Sequence, residues 1–289
     1  GRHFTARFAY MPAMIRITVV TLLFLAFARP ALAASPAQDK DVLTPVMAGE
    51  FALQAGQLPE ASRWYLEAAR AEDDAGLAER ATRIAMLANE DTRATEALKL
   101  WRQRAPQSLA MRGAEAALAL RKGDAKVARR ELQALVRDTE GQGWRYALTV
   151  LGSGGRDPAL SAELLGELVA EDAIPNQLPA WLAFGGLAQS LDQLQLAEDI
   201  VGEAAKRFPE EPRVALLHAN QLRKAGRNDE ARSLLDGLRA SASASQELRG
   251  TLAYEYDLSG DPQAAAAVMA QGPQDTRSYG LRASLLAKA

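Results

Sequence analysis

From residue 43 onwards, apolar residues recur at the spacing of one face of an α-helix, in stretches separated by short turns. The clearest marker is an alanine followed by mostly apolar residues four and seven positions later. It occurs seven times, at Ala61, Ala94, Ala128, Ala162, Ala197, Ala231 and Ala265, at successive distances of 33, 34, 34, 35, 34 and 34 residues. This regularity predicts a tandem array of helical units.

Two further positions repeat with the same period and divide each unit into two helices. Five residues before each alanine is a turn-forming residue: Gly56, Asn89, Gly123, Asp157, Asp192, Gly226 and Gly260. Twelve residues before each alanine is a residue that is Gly or Ala in five of seven units: Gly49, Thr82, Ala116, Val150, Gly185, Ala219 and Ala253. Because small side chains let helices approach closely, we expect the two helices of a unit to touch there.

This pattern resembles the tetratricopeptide repeat (TPR), a helix–turn–helix unit of 34 residues with small residues at its eighth and twentieth positions. The match is best in repeat five, where Trp181, Phe184, Gly185, Ala188, Ala197, Ala204 and Pro209 occupy the marked positions. It is weak in repeats two and four, where Thr82 and Val150 are large and Gly166 replaces a packing residue. The resemblance implies an all-α fold, a right-handed superhelical solenoid over residues 43–289 with about seven repeats and a truncated eighth.

In TPR superhelices the first helix of each repeat lines a concave face, with positions 2, 5, 9, 12 and 13 pointing inward. The resemblance places there Ala110, Gly113, Ala117, Leu120 and Arg121 in repeat three, and the most basic set, Arg213, Leu216, Asn220, Arg223 and Lys224, in repeat six. The partner-binding candidates on this face are Leu53, Trp144, Arg213, Asn220, Arg223, Lys224 and Tyr254. The carboxylate clamp of some family members is disfavoured, because Leu216 replaces its lysine.

Residues 14–33 have the three parts of a secretory signal peptide. Arg16 gives a basic start, residues 17–28 form an apolar run, and Ala31-Leu32-Ala33 has the form of a cleavage site. We therefore expect a periplasmic protein, with residues 1–13 as upstream translation, because Gly1 is not methionine, and residues 34–42 as a flexible lead-in. A bilayer span needs roughly 20 apolar residues, so an uncleaved membrane anchor is the lesser alternative.

Composition narrows the chemistry. The 289 residues include 59 alanines and no cysteine, which favours closely packed helices and excludes disulfides, thiolate catalysis and a lipidation cysteine. The histidines are His3 and His218, too few for a His-rich metal site. Without residues 1–33, 30 basic and 36 acidic residues leave a net charge of −6, so nothing indicates nucleic-acid binding.

Three features invite a catalytic interpretation, and a structural one is favoured for each. Gly152-Ser153-Gly154-Gly155 lacks the preceding strand and following lysine of a phosphate loop, and is interpreted as a turn. His218 is interpreted as a packing residue, with pH sensing as the alternative. The acidic pairs are interpreted as solvated surface, with two-carboxylate catalysis as the alternative: Asp73-Asp74, Glu171-Asp172 and Glu210-Glu211. We predict no catalytic residue, cofactor or metal.

These observations favour a non-catalytic scaffold of the bacterial cell envelope that binds partner proteins in the concave groove. Residues 48–91 resemble TPR adaptors that bind a carboxyl-terminal processing protease and deliver its substrates. Two other functions stay open: a hydrolase or glycan-cleaving enzyme that uses surface carboxylates or a missing C-terminal domain, and a structural envelope protein that self-associates.

Overall fold

The computed structural model describes residues 41–153 and 157–289, and within these ranges the chain is all-α. The helices are α1 (Leu43–Gln54), α2 (Leu58–Ala71), α3 (Ala75–Leu87), α4 (Asp91–Arg104), α5 (Leu109–Lys122), α6 (Ala125–Val136), α7 (Trp144–Gly152), α8 (Pro158–Ala170), α9 (Leu178–Ser190), α10 (Leu194–Arg207), α11 (Pro212–Lys224), α12 (Asn228–Leu238), α13 (Gln246–Leu258), α14 (Pro262–Met269) and α15 (Thr276–Lys288). A 3₁₀ turn, Arg239–Ser241, follows α12.

The helices pair and stack in two layers. The pairs α1–α2 to α13–α14 correspond to the seven predicted repeats, and α15 takes the place of the first helix of the eighth. From α3 to α13 each first helix contacts the first helix of the next repeat, while second helices such as α2 and α4 contact each other. The prediction of an all-α solenoid of helix pairs is therefore confirmed; its right-handed sense stays a prediction.

Tight turns join the two helices of most repeats at the predicted turn residue. That residue has a left-handed backbone in six repeats, with φ of 72° at Gly56, 56° at Asn89, 73° at Gly123, 55° at Asp192, 78° at Gly226 and 79° at Gly260. The exception is Asp157, whose carboxylate caps α8 by accepting hydrogen bonds from the amides of Ala159 and Leu160 at 3.0 and 3.3 Å. The turn marker thus predicted the end of the first helix in every repeat except the fourth, where it marks the start of the second helix.

The small positions lie where the two helices of a repeat approach each other. A Cβ atom added to Gly49 would lie 2.7 Å from Cδ2 of Tyr65, its partner sixteen residues later. At Gly185 it would lie 3.4 Å from Cγ2 of Val201, which has the same offset. Six of the seven marker alanines are at most 1% exposed: Ala61, Ala94, Ala128, Ala197, Ala231 and Ala265. The predicted packing role of these positions is therefore confirmed.

Repeat four departs from this pattern. Its marker alanine, Ala162, is only half-buried, and α7 has nine residues. Trp144, expected on the concave face, is 4% exposed: its ring lies 6.3 Å from that of Phe184, and its indole N–H donates to Oε1 of Gln177 at 3.3 Å. This corrects the expectation for Trp144, which is a core residue.

Arginines connect successive repeats. Arg104 donates to the carbonyl of Ala69 at 2.6 Å, and Arg121 donates to the carbonyl of Met86 at 2.8 Å. Both carbonyls lie in the last turn of a helix, where backbone acceptors have no partner within the helix. The contacts join residues 35 apart, so an arginine of one repeat supplies a hydrogen-bond donor to a helix end of the preceding repeat.

A buried carboxylate links repeats two and three. The side chain of Glu131 on α6 is 1% exposed and accepts hydrogen bonds from Arg102 on α4, Arg112 on α5 and Arg130 at 3.1, 3.1 and 3.0 Å. Glu115 also pairs with Arg102 and Arg130. Because the buried charge has three cationic partners, its desolvation is offset and three helices are held together.

Several sequence-based interpretations fall outside the described ranges. They concern residues 1–13, the signal-like segment 14–33, most of the lead-in 34–42, and Gly154 and Gly155 of the glycine cluster. Among the described helices, none combines the length and the apolar character that a membrane span requires.

Candidate functional site

The first helices from α3 to α13 form a continuous surface, here called the first-helix face, which carries two grooves. The N-terminal groove lies between α3, α5 and α7 and has a volume of about 1060 Å³. Small residues of α5 form its floor: Ala110, Gly113, Ala114 and Ala117. Met86 and Leu87 line one side and Tyr146, Thr149 and Val150 the other, while Arg83, Arg121, Glu140 and Arg145 supply its charged groups.

The C-terminal groove lies between α9, α11 and α13 and has a volume of about 580 Å³. Its apolar lining consists of Leu182, Pro212, Leu216, Leu217 and Leu248. Its polar lining is richer than that of the N-terminal groove: Gln189, Glu211, Arg213, Asn220, Ser245, Glu247, Thr251 and Glu255. The same layer of helices therefore offers one mainly apolar groove and one mixed groove.

Internal ion pairs neutralise the two arginines of the basic set predicted in repeat six. Nε of Arg213 lies 2.9 Å from Oε1 of Glu211, and this hydrogen bond lowers the pKa of the carboxyl group. Nε of Arg223 lies 3.8 Å from Oε2 of Glu255, whose other oxygen accepts from Asn220 at 3.2 Å. The groove therefore has paired charges where the sequence alone indicated a basic surface.

The seven sequence-predicted candidates do not form one site. Arg213 and Asn220 line the C-terminal groove, whereas Arg223 and Lys224 adjoin it by contacting Glu255 and the carbonyl of Gln189. Leu53 packs against the core of the first repeats, and Trp144 is buried. Tyr254 is 60% exposed and lies outside both groove linings.

The predicted concave positions include four residues of the N-terminal groove, Ala110, Gly113, Ala117 and Arg121, but none of them is among the seven partner-binding candidates. Three other lining residues are not among these candidates either: Leu87, Arg145 and Tyr146. The signal that points to Tyr146 is its position 33 residues after Gly113. Gly113 has no side chain, and this leaves room for the ring of Tyr146 in the following repeat.

Five of the six residues in the acidic pairs have local structural partners, and the fifth of these, Glu211, is the partner of Arg213 described above. Asp73 pairs with Arg104 at 2.9 Å, and Asp74 caps α3 by accepting from the amide of Leu77 at 2.8 Å. Glu171 pairs with Arg137 at 3.2 Å and Asp172 with Arg207 at 2.6 Å. In the described ranges, no group of three or more His, Asp or Glu side chains is placed to hold a metal ion.

His218 lies half-buried on α11, and burial lowers its pKa. Glu198 on α10, and Arg227 and Glu230 next to and on α12, supply the charges that act on it, with opposing signs. This position agrees with a packing role and leaves a pH-dependent contribution to stability.

A third groove, of about 450 Å³, lies on the opposite layer between α8 and α10. Small residues of α8 leave the space, Ala159, Ala162 and Gly166, and a Cβ atom added to Gly166 would only reach van der Waals contact with Leu196 at 3.8 Å. The weakness of repeat four in sequence thus appears in the structure as looser packing between second helices.

No family model and no curated protein matches the sequence. Among solved structures, the chain is similar to a tetratricopeptide repeat protein from Parabacteroides merdae ATCC 43184, with 11% identity and a TM-score of 0.38, over 85% of this chain and 98% of that chain. The repeat type is indicated by this chain's own spacing and helix packing. The described chain is thus an all-α array of helix pairs with the spacing of tetratricopeptide repeats.

Proposed function

We propose that this protein is a non-catalytic scaffold of the bacterial cell envelope that binds other proteins along its first-helix face. The observation that carries the proposal is that two grooves, of about 1060 and 580 Å³, lie on one and the same layer of helices. The N-terminal groove is mainly apolar, and the C-terminal groove combines apolar side chains with a larger set of polar groups; both kinds of lining occur in sites that bind peptide segments. A rigid array of stacked repeats presents such grooves at fixed separation.

The test is to place a photoreactive amino acid at single positions of either layer and to compare crosslinked proteins in cells. Ala117 and Thr251 represent the two grooves, and the exposed residues Lys126 and Asp229 on second helices serve as matched controls. We expect discrete crosslinked proteins from the groove positions alone.

The proposed location is the periplasm, supported by the signal-like pattern of residues 14–33. Cell fractionation of the full chain, with replacement of Leu22 and Leu23 by arginine to break the apolar run, tests it. We expect the periplasmic pool to disappear in the variant.

The proposed partner is a carboxyl-terminal processing protease, supported by the resemblance of residues 48–91 to adaptors of such enzymes. Helix α1, which overlaps the start of this region, exposes an apolar stripe formed by Leu43, Met47 and Phe51, which are 66, 47 and 63% exposed. We expect the protease to co-purify with the chain and to be lost in Met47→Lys/Phe51→Lys, but retained in Gln54→Lys. Retention in the double variant contradicts this partner site.

A further inference from the structure

The floor of the N-terminal groove has the form of a helix-packing surface. Ala110, Gly113, Ala114 and Ala117 follow one another at intervals of three, one and three residues and face the groove together. Tyr146 of α7 already packs on Gly113, so the part of the floor that is open to a second helix consists of Ala110, Ala114 and Ala117. Their small side chains allow a second helix to approach α5 closely. From Leu109 to Arg121 the floor extends about 18 Å at 1.5 Å per residue, which matches a helix of about 12 residues.

The walls supply apolar contacts for such a helix. Leu87 on α3 is 68% exposed and Tyr146 on α7 is 39% exposed, although both are large and apolar. They line the groove from opposite sides, so an apolar ridge placed along α5 would contact both. Burial of these two side chains gives the complex its hydrophobic contribution.

The polar groups of the groove favour a helix over an extended peptide. An extended segment needs hydrogen-bond partners for its backbone, whereas a helix satisfies its own. Thr149 already donates to the carbonyl of Arg145 at 3.0 Å, and Ser153 donates to that of Val150 at 2.7 Å. The side-chain oxygen of Gln142 accepts from Arg145 at 2.6 Å. The groove therefore offers few groups for an incoming backbone.

The charged residues of the groove indicate which charge the flank of the bound helix should carry. The charged lining residues are three arginines and Glu140, which is exposed in the segment between α6 and α7. Arg83 pairs with Glu79 at 2.7 Å and Arg121 pairs with Asp91 at 2.6 Å. Arg145 is exposed and, among the described contacts, bonds only to the neutral amide of Gln142 and stacks on Trp144 at 4.4 Å. Its charge is thus available to a carboxylate of the occupant.

We propose that the N-terminal groove binds an amphipathic helix of a partner protein, with its apolar stripe on α5 and an acidic side chain paired with Arg145. This inference rests on the proposed scaffold function and specifies one ligand class for one of its two grooves. A second copy of this chain fits less well. Its exposed apolar helix α15, with Tyr279 and Leu286, carries Arg277, Arg282 and Lys288, which would repel Arg145. Its other exposed apolar helix, α1, has the acidic residue Glu50, but this carboxylate is already paired with Arg80.

The test uses two synthetic helical peptides with the same leucine stripe and either glutamate or lysine on the flanks, and measures binding to the full chain by fluorescence anisotropy. We expect the glutamate peptide to bind more tightly by about ten-fold or more, a difference that shrinks with salt. Ala117→Trp fills the groove and should weaken binding at least about ten-fold. Arg145→Glu should reverse the preference between the peptides.

The matched control is Thr251→Trp, which fills the C-terminal groove and should leave peptide binding unchanged. Circular dichroism and thermal unfolding check that each variant keeps its fold. Equal binding of both peptides, no binding of either, loss in Thr251→Trp alone, or binding only by a dimeric form seen in sedimentation each overturns the inference. The crosslinking from either groove tests the scaffold function separately and can succeed when the peptide experiment fails.

Discussion

A Cβ atom added to Gly185 would lie 2.7 Å from Cδ2 of Leu217, a residue of the next repeat. At the neighbouring position, Gly186, such an atom would meet nothing within 4 Å. The two adjacent glycines of α9 therefore differ in their surroundings. Gly185 allows α9 and α11 to approach each other, whereas the space around Gly186 is empty.

We predict that Gly185→Ala destabilises the array and that Gly186→Ala stabilises it. Alanine lowers the backbone entropy cost of a helix by about 0.5–1 kcal/mol relative to glycine, and Gly186→Ala should gain that amount. Gly185→Ala should lose about 1–2 kcal/mol, because Leu217 and Val201 must move. Urea unfolding of both variants checks this, and equal effects at the two positions would contradict the proposed packing.

The buried carboxylate of Glu131 should matter more than any exposed ion pair. Glu131→Gln keeps the size but removes the charge that three arginines contact, and hydrogen bonds to charged groups contribute about 1.5–3 kcal/mol each. Since the arginines remain partly solvated, we expect a net loss of about 2 kcal/mol.

The control is Glu96→Gln, which breaks the Arg70–Glu96 pair, whose side chains are 49 and 44% exposed. Such pairs contribute about 0–1 kcal/mol. A Glu131→Gln variant no less stable than Glu96→Gln would show that the buried network does not hold the three helices.

His218 should make stability depend on pH in a defined window. Burial lowers its folded-state pKa below 6.5, so the unfolded chain takes up the proton first. Its contribution is therefore constant above pH 6.5 and is lost as the pH falls from 6.5 towards the folded-state pKa. The free energy of unfolding should fall more steeply in this window for the wild type than for His218→Gln. Identical slopes would mean that His218 titrates alike in both states.

Much of the fold was predictable because each repeat needs the same small residues at the same places. Gly49, Gly123 and Ala197 have their roles from local geometry alone: a close helix contact, a left-handed turn and a buried position. Repeat four was also recognisable as irregular from Val150 and Gly166.

The candidate site was less predictable, because its character depends on partners far along the chain. Trp144 packs against Phe184, 40 residues later, and donates a hydrogen bond to Gln177. Arg223 is paired with Glu255, 32 residues later. Position within a repeat gives the direction of a side chain in a regular unit, and it does not reveal whether a neighbouring repeat covers or neutralises that side chain.

The most direct measurement of the scaffold function is the comparison of crosslinked proteins from the two layers of helices. Photoreactive substitutions at Ala117 and Thr251 on the first-helix face should give discrete crosslinked proteins in cells, and those at Lys126 and Asp229 on second helices should give none. Crosslinks from the second helices alone, or the same proteins from all four positions, would contradict the assignment of partner binding to the first-helix face.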